Sequence, residues 1–426
     1  MRKQLGNFGN MARSAGNQIV NLGKNIQWSG RQLMVGFTYP MVLFGAAAGV
    51  MAYKVENAFG SINKVYDVSA AALESQALRE KELGQVRVDS MEMATRVAEK
   101  YGITIDKTLA VEQQLAATGM KGQKLLSSTE EVQRISAIGD IEPTVTTEMV
   151  VALQTAFKDT IRDGEDLTNV LNFMNATSNA TSLSLQDIAE ATPRAASGLS
   201  QLGVTAEQMT IMLVSMREAG VQADEGANAL KSATTRILNP AIVQKAQDLY
   251  KKAGASFNLK DIVDKSQGNL YDFIRMLGKA TRASKDMSKQ EKASAVAALF
   301  GTYQFNRLNA AIVNLGDAKA GENNQTSKAI ALQQKSNEEL ASQAKISEDL
   351  MMSTDAAKMR KAWAEFQIEL SKLGKPFLVA VGEILKGGKK LLEWFNGLSD
   401  TKKKFAMYAA GALALVGPVI MLTGLF

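Results

Sequence analysis

The 426-residue chain has no cysteine and no histidine. Without cysteine there is neither a disulfide framework nor a thiolate metal site. Without histidine, the Ser-His-Asp and Cys-His nucleophile systems, the usual zinc ligand sets and imidazole proton shuttles are excluded too. Carboxylate chemistry stays open, but no catalytic motif accompanies it, and the chain is not expected to be an enzyme. No GxxxxGK[ST] phosphate loop occurs, and no cofactor or metal is expected. Helix breakers and large rings are also scarce, with six prolines, eight tyrosines and three tryptophans. The abundant alanine, leucine, lysine, glutamine and methionine lose little freedom in a helix. The composition predicts an all-α protein.

Charge is present but unevenly placed. Of the net +6, all comes from residues 1–55, which hold six bases and no acid and leave 43 of each sign in the remainder. A duplex-DNA binder concentrates its bases on a folded face; here they flank apolar sequence, which points to a membrane surface. Residues 1–31 place Leu5, Phe8, Ala12, Ala15, Ile19, Leu22 and Ile26 on one stripe, a basic amphipathic helix.

Two uncharged runs follow from this reading, 32–53 and 405–426, each long enough to span a bilayer as a helix. Gly45 and Gly49 form a GxxxG spacing and, with Gly411, allow close helix approach, while Pro40 and Pro418 interrupt the runs. Burial inside a large assembly is the other reading of both runs. The charge signals for topology conflict, since the leader would hold the N-terminus inside and Lys402–Lys404 would hold the central region inside.

Between these runs the pattern is helical throughout. Residues 54–143 read as a helical region with a stripe at Val55, Phe59, Ile62 and Tyr66, helix ends at Gly102 and Gly119, and a break at Pro143. Residues 144–320 form a punctuated helical core, 321–358 a polar helix or linker, and 359–404 coiled-coil-like helices.

Within the core, Leu167, Val170, Leu171 and Met174 share a face that "NATSNATS" is expected to break. Ser184 and Asp187 have cap spacing, and Pro193 is expected to kink or end the helix they open. Thr205 with Gln208 is a capping box, Met209, Met212, Leu213 and Met216 follow at helical spacing, and Gly220 supplies the stop. In "GVQADEGANALKSATTRILNP", Asp224 is expected as N-cap, Ala227, Leu230, Ala233 and Ile237 as the buried stripe, and Pro240 as the end. The result is a compact helical hairpin, in which methionines mould to gaps beside small residues.

This region resembles the core of tailed-bacteriophage tail tape measure proteins. The likeness rests on Asp187-Ile-Ala-Glu-Ala191, Gly203-Val-Thr-Ala-Glu-Gln208, Ala219-Gly-Val221, Asp224-Glu-Gly-Ala-Asn-Ala-Leu230 and Ala298-Leu-Phe-Gly301. It covers roughly 170–300; where the family has Ala-Gly, this chain has Gly226-Ala227. The resemblance implies a structural role in which the protein templates the tail tube and its length, occupies the lumen near the tip, and leaves ahead of the genome. It implies as partners sister copies in a trimer or hexamer, the tail tube and tip proteins and tail assembly chaperones. DNA would be met only in passage, with no sequence-specific binding. The apolar ends would add contact with the host inner membrane during genome delivery.

A seam beyond the core fits self-association. Met359, Trp363, Phe366, Leu370, Leu373, Phe377, Ala380, Ile384, Gly387, Leu391, Trp394 and Leu398 alternate in steps of four and three. A sustained 3.5-residue repeat keeps one face toward a partner helix. An amphipathic helix on its own domain is the other reading. A different function class also fits the apolar ends: a membrane-active helical pore-former or envelope scaffold outside any virion, although it leaves the 170–300 pattern unexplained.

Overall fold

The computed structural model describes residues 39–319 and 322–369, and between 39 and 51 the only side chain described is that of Val50. Among the described residues every regular element is a helix, as the composition requires. The chain divides into two compact units, Met1–Glu56 with Glu369–Phe426, and Asn57–Ile368. Of the first, the described part is mostly the helical run 39–56.

In chain order the helices are α1 (Tyr39–Val65), α2 (Ala70–Glu74), α3 (Gln76–Tyr101), α4 (Ile105–Ala116), α5 (Gly122–Gly139) and α6 (Pro143–Ala156). There follow α7 (Gly164–Ala180), α8 (Leu185–Ser200), α9 (Ala206–Arg217), α10 (Ala223–Ile237), α11 (Pro240–Lys252) and α12 (Leu259–Lys265). The last are α13 (Leu270–Ala283), α14 (Lys289–Phe300), α15 (Phe305–Asp317), α16 (Gln325–Gln333) and α17 (Asn337–Ser353), before helical backbone over 355–369.

Helix α1 contains Pro40, Gly45 and Gly49 and runs on through Lys54, Glu56 and Lys64. The apolar segment expected at 32–53 is therefore, where described, part of a longer helix carrying charges. Among the described residues no helix is long and apolar enough to cross a membrane. The basic leader, the run 405–426 with Gly411 and Pro418, and the seam positions from Leu370 to Leu398 lie outside the described residues.

Local sequence explains most helix starts. Ser184, Thr205, Ser288 and Ser336 each accept from the N3 amide while the N3 side chain accepts from the cap amide. Pro143 and Pro240 occupy first-turn positions, where a missing N–H costs nothing. Pro240 therefore opens α11, with Asn239 as its N-cap, while α10 already ends at Ile237.

Three further local expectations are corrected. Pro193 does not end its helix: α8 continues to Ser200, held between α6 and α10, with Pro193 on its exposed side. The "NATSNATS" stretch does not break α7 at Asn175; Asn175, Ala176 and Thr177 are buried helical residues, and the helix ends at Ala180. Asp224 is not the N-cap of α10. Gln222 holds that position, and Asp224 lies in the first turn, where its charge complements the helix dipole.

One apolar core runs through the second unit, including Leu171, Met174, Met212, Leu230, Phe273, Phe300, Leu308 and Ile330. Residues 321–358 contribute to it: α16 buries Ala329 and Ile330, and α17 packs Leu340 and Ala344 inward along α7. A smaller cluster of Met93, Val97, Tyr101 and Ala137 joins α3 to α5. Helices α13 and α15 cross at Gly278 and Gly316. A Cβ at Gly278 would stand 2.1 Å from the Ile312 carbonyl oxygen, so only hydrogen fits there.

Candidate functional site

The residues that carry the family likeness converge on the hairpin α9–α10 and the helices around it. Thr205 Oγ1 accepts from Gln208 N at 3.2 Å, and Gln208 Oε1 accepts from Thr205 N at 3.1 Å. Asn269, the N-cap of α13, extends this box by donating to Gly203 O at 2.7 Å and Gln208 Oε1 at 3.1 Å. Met209, Met212 and Met216 are buried, and Gly220 takes a left-handed φ of 84° at the turn. Such a φ favours glycine because a Cβ is strained there.

Helix α10 presents Ala227, Leu230 and Ala233 fully buried and Ile237 nearly so. Gly226 is the close-approach position: a Cβ there would lie 3.1 Å from Met216 Sδ and 3.4 Å from Leu213 Cδ2. Asp224 faces Arg194 of α8 at 3.6 Å with both side chains about half exposed, and Arg307 reaches Glu225 at 3.1 Å.

The tetrapeptide Ala298-Leu-Phe-Gly301 has a defined mechanical role. Arg236 at the end of α10 donates from Nε to Leu299 O at 2.9 Å and from Nη2 to Ala298 O at 3.1 Å. These carbonyls belong to the last turn of α14, which has no further helical amides to use. Gly301 ends that helix with φ +89°, and a Cβ there would stand 3.6 Å from Arg236 Cζ. Glu218 does the converse, accepting from Gln325 N at 3.1 Å and Thr326 N at 3.0 Å at the start of α16. The hairpin thus braces α13, α14 and α16 through polar ties as well as apolar packing.

Arg236, Glu218 and the Gly278–Gly316 pair were not singled out from the sequence. The available signal for the glycines was their placement inside strongly amphipathic helices, where glycine lowers helix propensity and needs a packing reason.

Among the described residues no group of three or more histidines, cysteines or carboxylates is placed to hold a metal. An open groove of about 860 Å³ runs along α6 and α8, lined by small and hydroxyl side chains such as Thr147, Ala152, Thr155, Ser197 and Ser200. Away from it, burial raises the Glu112 carboxyl to about 7 and the Tyr101 hydroxyl to about 12.

The described part of the seam lies on the helix over 355–369. Ala357, Ala364 and Ile368 are buried, whereas Met359 is 74% exposed, Trp363 56% and Phe366 36%. The Trp363 and Phe366 rings touch, with centroids 5.6 Å apart. This helix rests its backbone on Gly102, where a Cβ would meet Lys361 N at 2.6 Å.

Comparison with known proteins agrees with the hairpin's likeness. Residues 92–301, just under half of the chain, match the family described as phage-related minor tail protein. The match takes in α4 to α14 entire, so the resemblance read at 170–300 extends to the helices beneath it. The chain is also similar to the tape measure protein of Pneumococcus phage Dp-1, with 21% identity over 407 residues. That alignment takes in 95% of this chain and 32% of the relative, so the chain spans about a third of its length. No solved structure matches. The regular elements of the described residues are all helices, and the matched stretch is similar to phage tail proteins. Along most of its length the chain is similar, at low identity, to a tail tape measure protein.

Proposed function

We propose that this chain is a structural, non-catalytic tape measure protein that occupies the tail lumen, templates the tube and its length, and is released on infection to help the genome cross the host inner membrane. The observation that carries the reading is the match of residues 92–301 to a phage tail family, set within an alignment to a tape measure protein over 95% of the chain. The hairpin architecture suits the role: it is braced against its neighbours by polar ties as well as apolar packing.

Its partners in this reading are sister copies, the tail tube and tip proteins, tail assembly chaperones and, during ejection, the host inner membrane. The exposed Met359, Trp363 and Phe366 support self-association, because the same spacing continues in the sequence to Leu398. Helix rises about 1.5 Å per residue, so this chain as one helix would measure about 640 Å at most. The compact body shortens that reach, and the ruler would be supplied by chain outside the body.

The test is made in the phage that encodes the chain. Particles lacking it should show no tails of defined length by electron microscopy. In-frame deletions outside 57–368 should shorten tails by about 1.5 Å per residue removed. Tails of normal number and length in its absence would overturn the reading. Leakage from liposomes, compared between the chain and a form lacking 32–53 and 405–426, tests the membrane step separately; equal leakage would remove that step.

A further inference from the structure

Helix α3 is attached to the body along only part of its length. Its buried residues are Ser90, Met93, Ala94, Val97, Ala98 and Tyr101, all in its C-terminal half. Three of these belong to the small cluster with Ala137 rather than to the main core. Near the middle of α3, Ser90 Oγ donates to Glu112 Oε1 of α4 at 2.5 Å, with both residues fully buried. The other carboxyl oxygen, Oε2, is buried without a hydrogen-bond partner. At the helix end Lys100 pairs with the largely covered Glu348 of α17 at 3.0 Å.

The charges around Glu112 do not compensate it. Helix α4 packs on α3, α5 and α6. Asp89, Glu92, Arg96 and Glu99 of α3, Asp106 and Lys107 of α4, Lys124, Glu130 and Glu131 of α5 and Glu148 of α6 are partly or fully exposed. Arg87 of α3 stands over the Phe59 ring, 4.7 Å from its centroid. Arg134 of α5 is buried, but its guanidinium is taken by Glu131 and Asn172. A neutral carboxyl can sit in such a site with one hydroxyl partner. An ionised one lacks the donors that would replace its water.

We propose that α3 is a proton-controlled strap, seated on α4 and α5 while the Glu112 carboxyl is protonated and released from them when that proton leaves to solvent. Burial, opposed only by the Ser90 hydrogen bond, lifts this carboxyl from 4.5 to about 7, which places the change near neutrality. A difference of that size corresponds to a shift on the order of 100-fold in the seating equilibrium between acid and alkaline limits. Release would be a local opening of the kind that leaves the main core folded. The strap concerns this chain's own fold and does not depend on the tail assignment.

Hydrogen exchange on the full chain tests it, from pH 5.5 to 8.5 and corrected for intrinsic exchange rates. Amides of 90–101 should lose protection at least 10-fold as pH rises, while those of α9 and α10 stay level. Glu112→Gln should keep α3 protected at both extremes. A flat profile in the natural chain, or an unchanged slope in Glu112→Gln, overturns the proposal. Ser90→Ala gives a second reading that keeps the carboxyl: loss of the donor that favours the ion should extend the pH-dependent range upward. An unchanged range there would also overturn it.

Discussion

Arg236 of α10 and Leu299 of α14 are joined by a hydrogen bond that spans 63 positions of sequence, with Nε donating to the carbonyl at 2.9 Å. The same guanidinium takes Ala298 O, so one side chain closes the end of α14 and fixes it to the hairpin. Arg236→Ala should lower unfolding stability by about 2 kcal/mol, since charge-assisted hydrogen bonds to carbonyls are lost. Arg236→Lys should recover less than half, because a single ammonium does not reproduce the planar fork. Urea denaturation followed by circular dichroism measures both.

The Gly278–Gly316 crossing gives the sharpest packing prediction. Either Gly278→Ala or Gly316→Ala forces a methyl into space held by backbone, and the cost should reach about 3 kcal/mol or more. Gly84→Ala, where a Cβ meets nothing within 4 Å, should be neutral or stabilising by up to about 1 kcal/mol. Thermal denaturation of the three variants checks this ordering.

The two helix starts of the hairpin should respond differently to alanine. Thr205→Ala removes one half of the capping box and should cost about 1 kcal/mol. Asp224→Ala removes a loose exposed pair and a first-turn charge, and should cost only about 0.5 kcal/mol. A larger loss at Asp224 than at Thr205, measured by chemical denaturation, would contradict the cap assignment.

These positions also show what the sequence could and could not disclose. The Thr205–Gln208 and Ser184–Asp187 caps are legible because both partners lie within four residues. The alanine stripe of α10 is legible from its period. Pro193 and "NATSNATS" misled because neighbouring helices override local preference, keeping α7 and α8 continuous. Arg236 with Leu299, and Gly278 with Gly316, pair through three-dimensional proximity that no single window contains. The seam is an expectation from spacing, and of its described positions Met359 and Trp363 are exposed.

The 4-3 spacing from Met359 onward yields a prediction of assembly state. The combined change Met359→Ser, Trp363→Ser and Phe366→Ser should lower the mass seen by sedimentation velocity to that of a monomer. The melting transition of the body should remain, because these side chains are exposed in it. A natural chain that is already monomeric at tens of micromolar would count against the seam.

Glu112 makes stability depend on pH in a defined direction. The folded carboxyl keeps its proton to about 7, whereas the unfolded one loses it near 4.5. The stabilisation is therefore complete below 4.5, declines as pH rises, and is gone above 7, a total of about 3 kcal/mol. Asp166 and Glu291, held low by Arg162 and Ser288, act oppositely and only as pH falls below the carboxylate range. Urea midpoints between pH 5 and 8 should fall in the natural chain and stay nearly level in Glu112→Gln.

Gly102 lets the helix over 355–369 press directly on the end of α3, and two ion pairs flank that seat, Lys100–Glu348 at 3.0 Å and the exposed Arg360–Asp140 at 3.3 Å. Tension applied to the polypeptide past residue 368 would load this joint before any of the deeply interlocked helices. Two ion pairs, one of them at the surface, resist less than interdigitated apolar packing, so the seat would act as a mechanical fuse, parting first and sparing the hairpin.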